Sequence, residues 1–170
     1  MTGLDLYYSV ANKLPKEHHW FLNWHIKLLT RHVKKPEISN EDLKLKFEKL
    51  NDEQLNEVAA KLPKAGILNP TKVFWLYNFI FGAFGVARFA IGHFNFGLFR
   101  IVFTLASIFI AQFAILNPYN SLLHILDVFF TGGGYGLWFV DLYIVGVILR
   151  NQNIEKINNI LDEALAKGNV

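Results

Sequence analysis

Four charged side chains interrupt an otherwise apolar half of this chain, and any chemistry in that half has to use them. In residues 73–149 the only Lys, Arg, Asp or Glu side chains are Arg88, Arg100, Asp127 and Asp141. A charge on a lipid-facing helix costs about 2.5–3.5 kcal/mol by insertion scales, so such groups usually face protein or water and have partners. The pairing to expect first is Arg88 with Asp141, an ion pair docking the first apolar stretch against the last. Arg100 with Asp127 is the second. The alternative is that each side chain snorkels separately to an interface. Structural pairing asks for nothing more, whereas a channel or carrier site needs more polar lining than this segment offers.

Other residue types that could do chemistry are less well placed. His18, His25 and His32 recur every seven residues, which puts them on one helix face about 10.5 Å apart per step, too far to share an ion. His18 and His19 are adjacent and diverge, while His93 and His124 stand near the ends of apolar stretches and read as interfacial groups. Gly132-Gly133-Gly134 lacks the Lys-Ser/Thr that follows a phosphate-cradling loop. Ser107 and Ser121 have no Gly-x-Ser-x-Gly context. Asp127 and Asp141, on either side of the glycine run, are the conceivable carboxylate pair of an intramembrane hydrolase. The chain has no cysteine, which excludes disulfides and thiolate metal sites. No cofactor, metal or small-molecule substrate is implied.

The elements that must hold these residues fall into three regions. Residues 1–69 carry eleven Lys/Arg and nine Asp/Glu of alternating sign. That pattern argues against nucleic acid, which needs a coherent basic face, and suits a cytoplasmic segment near an anionic leaflet. Residues 1–10 contain Asp5 and no basic stretch leading into an apolar one, so no cleavable signal peptide is expected. Helical spacing predicts a helix over 4–14 that Pro15 ends. A second is expected over 17–33, with Trp20, Phe21, Trp24 and Leu28 on one face that packs in the head or lies on the membrane surface. Ser39 with Asp42, and Asn51 with Gln54, look like caps that start two further helices. Pro63, Gly66 and Pro70 make residues 63–71 a linker.

Residues 72–150 hold fourteen of the sixteen Phe side chains in three apolar stretches. The first covers 73–92. Only fifteen residues separate Lys72 from Arg88, roughly 22 Å of helix against a hydrocarbon core of about 30 Å. The second, 96–116, is long enough to span. The third, 122–149, is expected to break at 131–136, leaving a short re-entrant or interfacial helix over 122–130 and a short span after Gly136. Residues 151–170 form an amphipathic tail expected to pack on the head through Ile154, Ile157, Ile160, Leu161 and Leu165. The head's lysines, with Arg150 and Lys156, favour both ends on the cytoplasmic side. That requires an even number of crossings, while the apolar stretches count to three.

The run Gly82-Ala83-Phe84-Gly85-Val86-Ala87-Arg88-Phe89-Ala90-Ile91-Gly92, then Phe96-Gly97-Leu98 and the later Gly136-Leu137-Trp138-Phe139-Val140-Asp141, resembles the core of the TM2 domain family. That family has a helix ending in Gly-x-Phe-Gly, an Arg-Phe turn and a second helix with Gly-x-Trp-x-x-Asp. Ala87 and Ala90 stand where it usually has Asp or His and Tyr, and the two blocks are further apart here. The resemblance covers about residues 72–150. It implies a small helical membrane protein with an appended soluble part, in which Gly82, Phe84, Gly85, Phe89, Gly92, Gly97, Gly136 and Trp138 carry the motif.

These readings converge on an all-α, polytopic helical membrane protein with a small N-terminal soluble helical head. The expected function is a non-enzymatic module of a bacterial inner membrane. It would anchor, and through glycine and aromatic surfaces oligomerise, a cytoplasmic head that meets a protein partner. A small channel or transporter subunit built on Arg88, Arg100, Asp127 and Asp141 is the alternative, and an intramembrane enzyme is a third.

Overall fold

A computed structural model describes residues 2–16, 33 and 35–167. The helix expected over 17–33 and the histidines His18, His19, His25 and His32 lie outside the described residues. Among the described residues every regular element is helical. The chain divides into two units, Met1–Pro70 with Val147–Val170, and Thr71–Gly146.

In the first unit each helix begins where a side chain can satisfy the free amides of its opening turn. Helix α1 (Gly3–Ala11) is capped by Thr2, whose hydroxyl accepts from the Asp5 amide while Asp5 accepts from the Thr2 amide. Helix α2 (Asn40–Glu48) starts at Ser39, which accepts from the Asp42 amide at 3.1 Å. Helix α3 (Asp52–Lys61) has reciprocal bonds between Asn51 and Gln54, each 2.9 Å. A 3₁₀ turn (Leu62–Lys64) and Gly66, in the left-handed region at φ 63°, then redirect the chain. The core draws Leu6 and Val10 from α1, Leu43 and Phe47 from α2, and Leu55 and Val58 from α3.

Ile154, Ile157, Leu161 and Ala164 complete that core, so the amphipathic segment 151–167 packs on the head as its spacing predicts and belongs to this unit. Arg150 donates to the carbonyls of Asn12 and Leu14 at 3.1 and 2.7 Å, which serves the open end of α1. The buried Asn153 amide donates to Lys13 and Leu68 carbonyls, both at 3.0 Å. Across the outer seam Lys46 pairs with Asp162, and Lys61 with Glu163 at 2.8 Å.

The second unit departs from the expected three stretches. The first stretch is not one helix. Helix α4 (Pro70–Lys72) runs on into a π-helix (Val73–Ile80), then a 3₁₀ turn (Gly82–Phe84), then the short α5 (Val86–Ala90). The break falls at Gly85, whose φ of 67° is open to glycine at little cost. A Cβ there would also stand 2.8 Å from Cβ of Arg100. Gly92, at φ 80°, ends α5. Helix α6 (Phe94–Leu116) is a continuous 23-residue helix. The turn at Asn117-Pro118-Tyr119-Asn120 leads to α7 (Ser121–Lys167), 47 residues long, which contributes its first part to this unit and its last part to the other.

The expected break at 131–136 does not occur. Gly132, Gly133, Gly134 and Gly136 are all helical, without positive φ. Breaking the helix in apolar surroundings would leave peptide groups without partners, at several kcal/mol each. The glycines instead admit a neighbour: a Cβ on Gly133 would lie 3.3 Å from the Phe103 ring of α6, which stacks on Phe130 at 4.9 Å. The re-entrant helix over 122–130 is therefore replaced by one long α7.

Candidate functional site

The broken first stretch creates the site. Helix breaks leave backbone carbonyls exposed to other partners, and three carbonyls of the broken stretch accept from side chains. The Trp138 indole donates to the Asn78 carbonyl at 3.0 Å, Arg100 Nη2 to Gly82 at 3.1 Å, and the Thr104 hydroxyl to Ala83 at 2.6 Å. Arg100 also reaches across to the Gly134 carbonyl of α7 with Nη1 at 3.3 Å. The buried Asn78 side chain donates to the Asp141 carbonyl at 2.7 Å.

These bonds bring three of the four interior charges together. Arg88 on α5 donates to Asp141 Oδ1 on α7 through Nε at 3.1 Å and through Nη2. Its guanidinium carbon lies 5.3 Å from the centre of the Phe96 ring, a cation–π distance, and Nη1 is 3.4 Å from Nδ1 of His93. Arg100 Nε approaches the other carboxylate oxygen, Oδ2, at 3.7 Å, close enough for charge attraction but without a hydrogen bond. Arg100 and Asp141 are 4% and 5% exposed. Two guanidiniums thus face one carboxylate, and the cluster is net positive.

The expected Arg100–Asp127 pair does not form. Asp127 accepts from Thr131 at 3.1 Å on the exposed side of α7. Because α7 is continuous, the residue level with Arg100 is Gly134, seven residues further along than Asp127, or about 10.5 Å of helix. The same continuity separates Asp127 from Asp141 by fourteen residues, about 21 Å. They cannot act as a carboxylate pair, and the hydrolase alternative loses its site. Ser107 lies 3.4 Å from the Thr131 hydroxyl, and His124 contacts the Pro118 carbonyl at 3.0 Å.

Among the motif residues, Gly82 and Gly97 save space for neighbouring rings. A Cβ on Gly82 would meet the Trp138 ring at 2.6 Å, and one on Gly97 would meet the Phe89 ring at 2.6 Å. Phe84 is exposed, and Gly136 has no neighbour within 4 Å of a would-be Cβ. Sequence reasoning passed over Asn78, although its signal is plain: it is the lone amide in the apolar run 73–81. It also passed over Thr104, which carries no distinguishing pattern.

Among the described residues the surroundings of the cluster are inverted relative to a soluble core. On α6 the charged Arg100 is buried, while Phe109 and Leu116 are 63% and 74% exposed. Helices α6 and α7 are both long and apolar enough to cross a membrane. The chain matches no known protein family, no curated protein and no solved structure.

Proposed function

We propose that the chain is a non-enzymatic integral membrane module of a bacterial cytoplasmic membrane. In this reading α6 and the first part of α7 cross as a hairpin, the Arg88–Asp141–Arg100 cluster locks that hairpin to the broken first stretch, and the helical head meets a protein partner in the cytoplasm. The observation that carries it is the inverted polarity of α6 and α7, with charges inside and Phe, Leu and Ile outside. Water penalises so large an apolar face, while lipid does not. The locking role is supported by what the cluster touches: peptide carbonyls at the break and a carboxylate.

The core of the first unit supports an even crossing count in this reading. Residues 6–14 and 154–164 share one hydrophobic core, so both stand on the same side of any membrane between them. The number of crossings is then even, and α6 and α7 supply two. The lysines of the head favour the cytoplasmic side. Oligomers are favoured by Gly132 and Gly136, one turn apart on α7 with open space beside them, an arrangement through which membrane helices approach closely. The TM2 likeness belongs to the same proposal, since its Gly82, Gly85, Gly97 and Trp138 are packed around the cluster.

Membranes washed with alkaline carbonate should retain the chain, and detergent should release it. Recovery as a water-soluble monomer would defeat the reading. In liposomes the purified chain should pass no ions; a flux lost in Arg88→Ala would replace the anchoring module with a channel subunit.

A further inference from the structure

The Arg100 side of the cluster is not closed. A cavity of about 310 Å³ opens between the π-helix, α6 and α7, with Arg100 in its wall. Hydroxyl-bearing Thr104, Ser107, Thr131 and Tyr135 line one part of it, and aromatic Phe79, Phe103 and Trp138 another. We infer that this cavity binds the head of one anionic glycerophospholipid, its phosphate on Arg100. The inference rests on the membrane reading above and adds a ligand to it.

Charge and donor count both point to an oxyanion. A guanidinium has five N–H donors. In Arg100 two of them meet the Gly82 and Gly134 carbonyls, and Nε has no hydrogen bond. That buried Nε faces Asp141 Oδ2 at 3.7 Å, so two donors, one on each Nη, remain on a cation whose cluster carries two positive charges against one negative. Guanidinium forks match phosphate oxygens, and such charge-assisted bonds are strong where water is scarce.

The rest of the wall distinguishes a glycerophospholipid from a bare acid. Thr104 spends its proton on the Ala83 carbonyl and Thr131 its own on Asp127, so both hydroxyl oxygens act as acceptors, Thr131 with one lone pair already facing the Ser107 hydroxyl at 3.4 Å. They suit the hydroxyl donors of a glycerol headgroup. The aromatic wall suits an acyl chain. A lipid supplies this ligand most directly, since the helices framing the cavity present their apolar faces outward.

Native mass spectrometry of the full chain from micelles holding equal amounts of phosphatidylglycerol and phosphatidylcholine tests the inference. One phosphatidylglycerol should be retained per chain, with a preference of about ten-fold or more. Ser107→Phe, which fills the cavity and leaves every charge in place, should abolish the preference, as should Arg100→Gln. If Arg100→Gln does not fold, Ser107→Phe alone decides. A third measurement needs no change at the site. With Trp20, Trp24 and Trp75 replaced by Phe, phosphatidylglycerol brominated on its acyl chain should quench Trp138 saturably, and the brominated choline lipid should not. Equal retention of the two lipids, full retention by Ser107→Phe, or displacement by an equal amount of oleate would each overturn the proposal. A chain that needs detergent yet ignores lipid charge sinks only this inference, whereas a chain that needs no detergent sinks the membrane reading itself.

Discussion

Asp141 is the only acid among the interior charges that touches an arginine, and it touches two. Removing it would leave two guanidiniums facing each other in apolar surroundings. Breaking a buried pair by deleting one partner typically costs about 3–5 kcal/mol, so Asp141→Ala should lose at least that much in unfolding followed by circular dichroism in detergent. Arg88→Ala should cost less, because Arg100 still neutralises the carboxylate. The exchange Arg88→Asp with Asp141→Arg sharpens the point. For an isolated pair the double variant would recover most of the loss, but here the new arginine at 141 would sit against Arg100. Recovery should be partial, and full recovery would mean that Arg100 does not belong to the cluster. The Arg88–Asp141 contact was legible because so few charges were available to pair. Arg100 was misassigned to Asp127 because its real partners are the carbonyls of Gly82 and Gly134 as well as a shared acid, and backbone partners leave no mark on composition.

Among the elements, the caps and the amphipathic faces of the head were readable, since Ser39, Asn51 and the Ile154–Ile157–Leu161 spacing act locally. Glycine was ambiguous. The same residue marks a break at 85 and a close approach at 133, and only the neighbour, Arg100 or Phe103, separates the two uses. This gives opposite predictions. Gly85→Ala should destabilise by more than about 1–2 kcal/mol, for it puts a side chain in the left-handed region and against Arg100. Gly132→Ala, helical and with open space around it within one chain, should instead stabilise the monomer by roughly 0.5–1 kcal/mol in the same melts. Loss of stability in Gly132→Ala would mean a covered face, such as a second copy. The seam between α3 and α7 should titrate. Hydrogen bonds from Lys167 and then Lys61 hold the Glu57 carboxyl below its ordinary value of 4.5. Its contribution is present above that value and fades as pH falls through the lower folded one. Lys61, bonded first to Glu163 and then to Glu57, is raised above 10.5, so its share is complete below that pH and lost as pH rises through the higher folded value. Glu57→Gln should flatten the acid limb of a stability–pH curve, by a small amount because the pair is solvent-exposed. An unchanged acid limb would show that the seam adds nothing.

At the scale of the whole molecule, the sequence left a contradiction between three apolar stretches and two ends with the same charge preference. In the proposed membrane reading the contradiction disappears, because the first stretch forms a π-helix and tight turns, none of which is long enough to cross. The consequence can be tested residue by residue, because the chain lacks cysteine and any introduced thiol reports alone. Glu41→Cys on α2 and Ala166→Cys near the end of α7 lie at exposed positions in the first unit, and Tyr119→Cys lies at the exposed turn between α6 and α7. A membrane-impermeant maleimide should label Glu41→Cys and Ala166→Cys only in inverted vesicles, and Tyr119→Cys only in right-side-out ones. Labelling of all three from one face would mean that the hairpin rests on the bilayer instead of traversing it, and α6 would then need a protein surface to cover its Phe and Leu side chains. Labelling of Glu41→Cys and Ala166→Cys from opposite faces would make the crossings odd, which the core shared by Leu6, Phe47, Ile157 and Leu161 forbids.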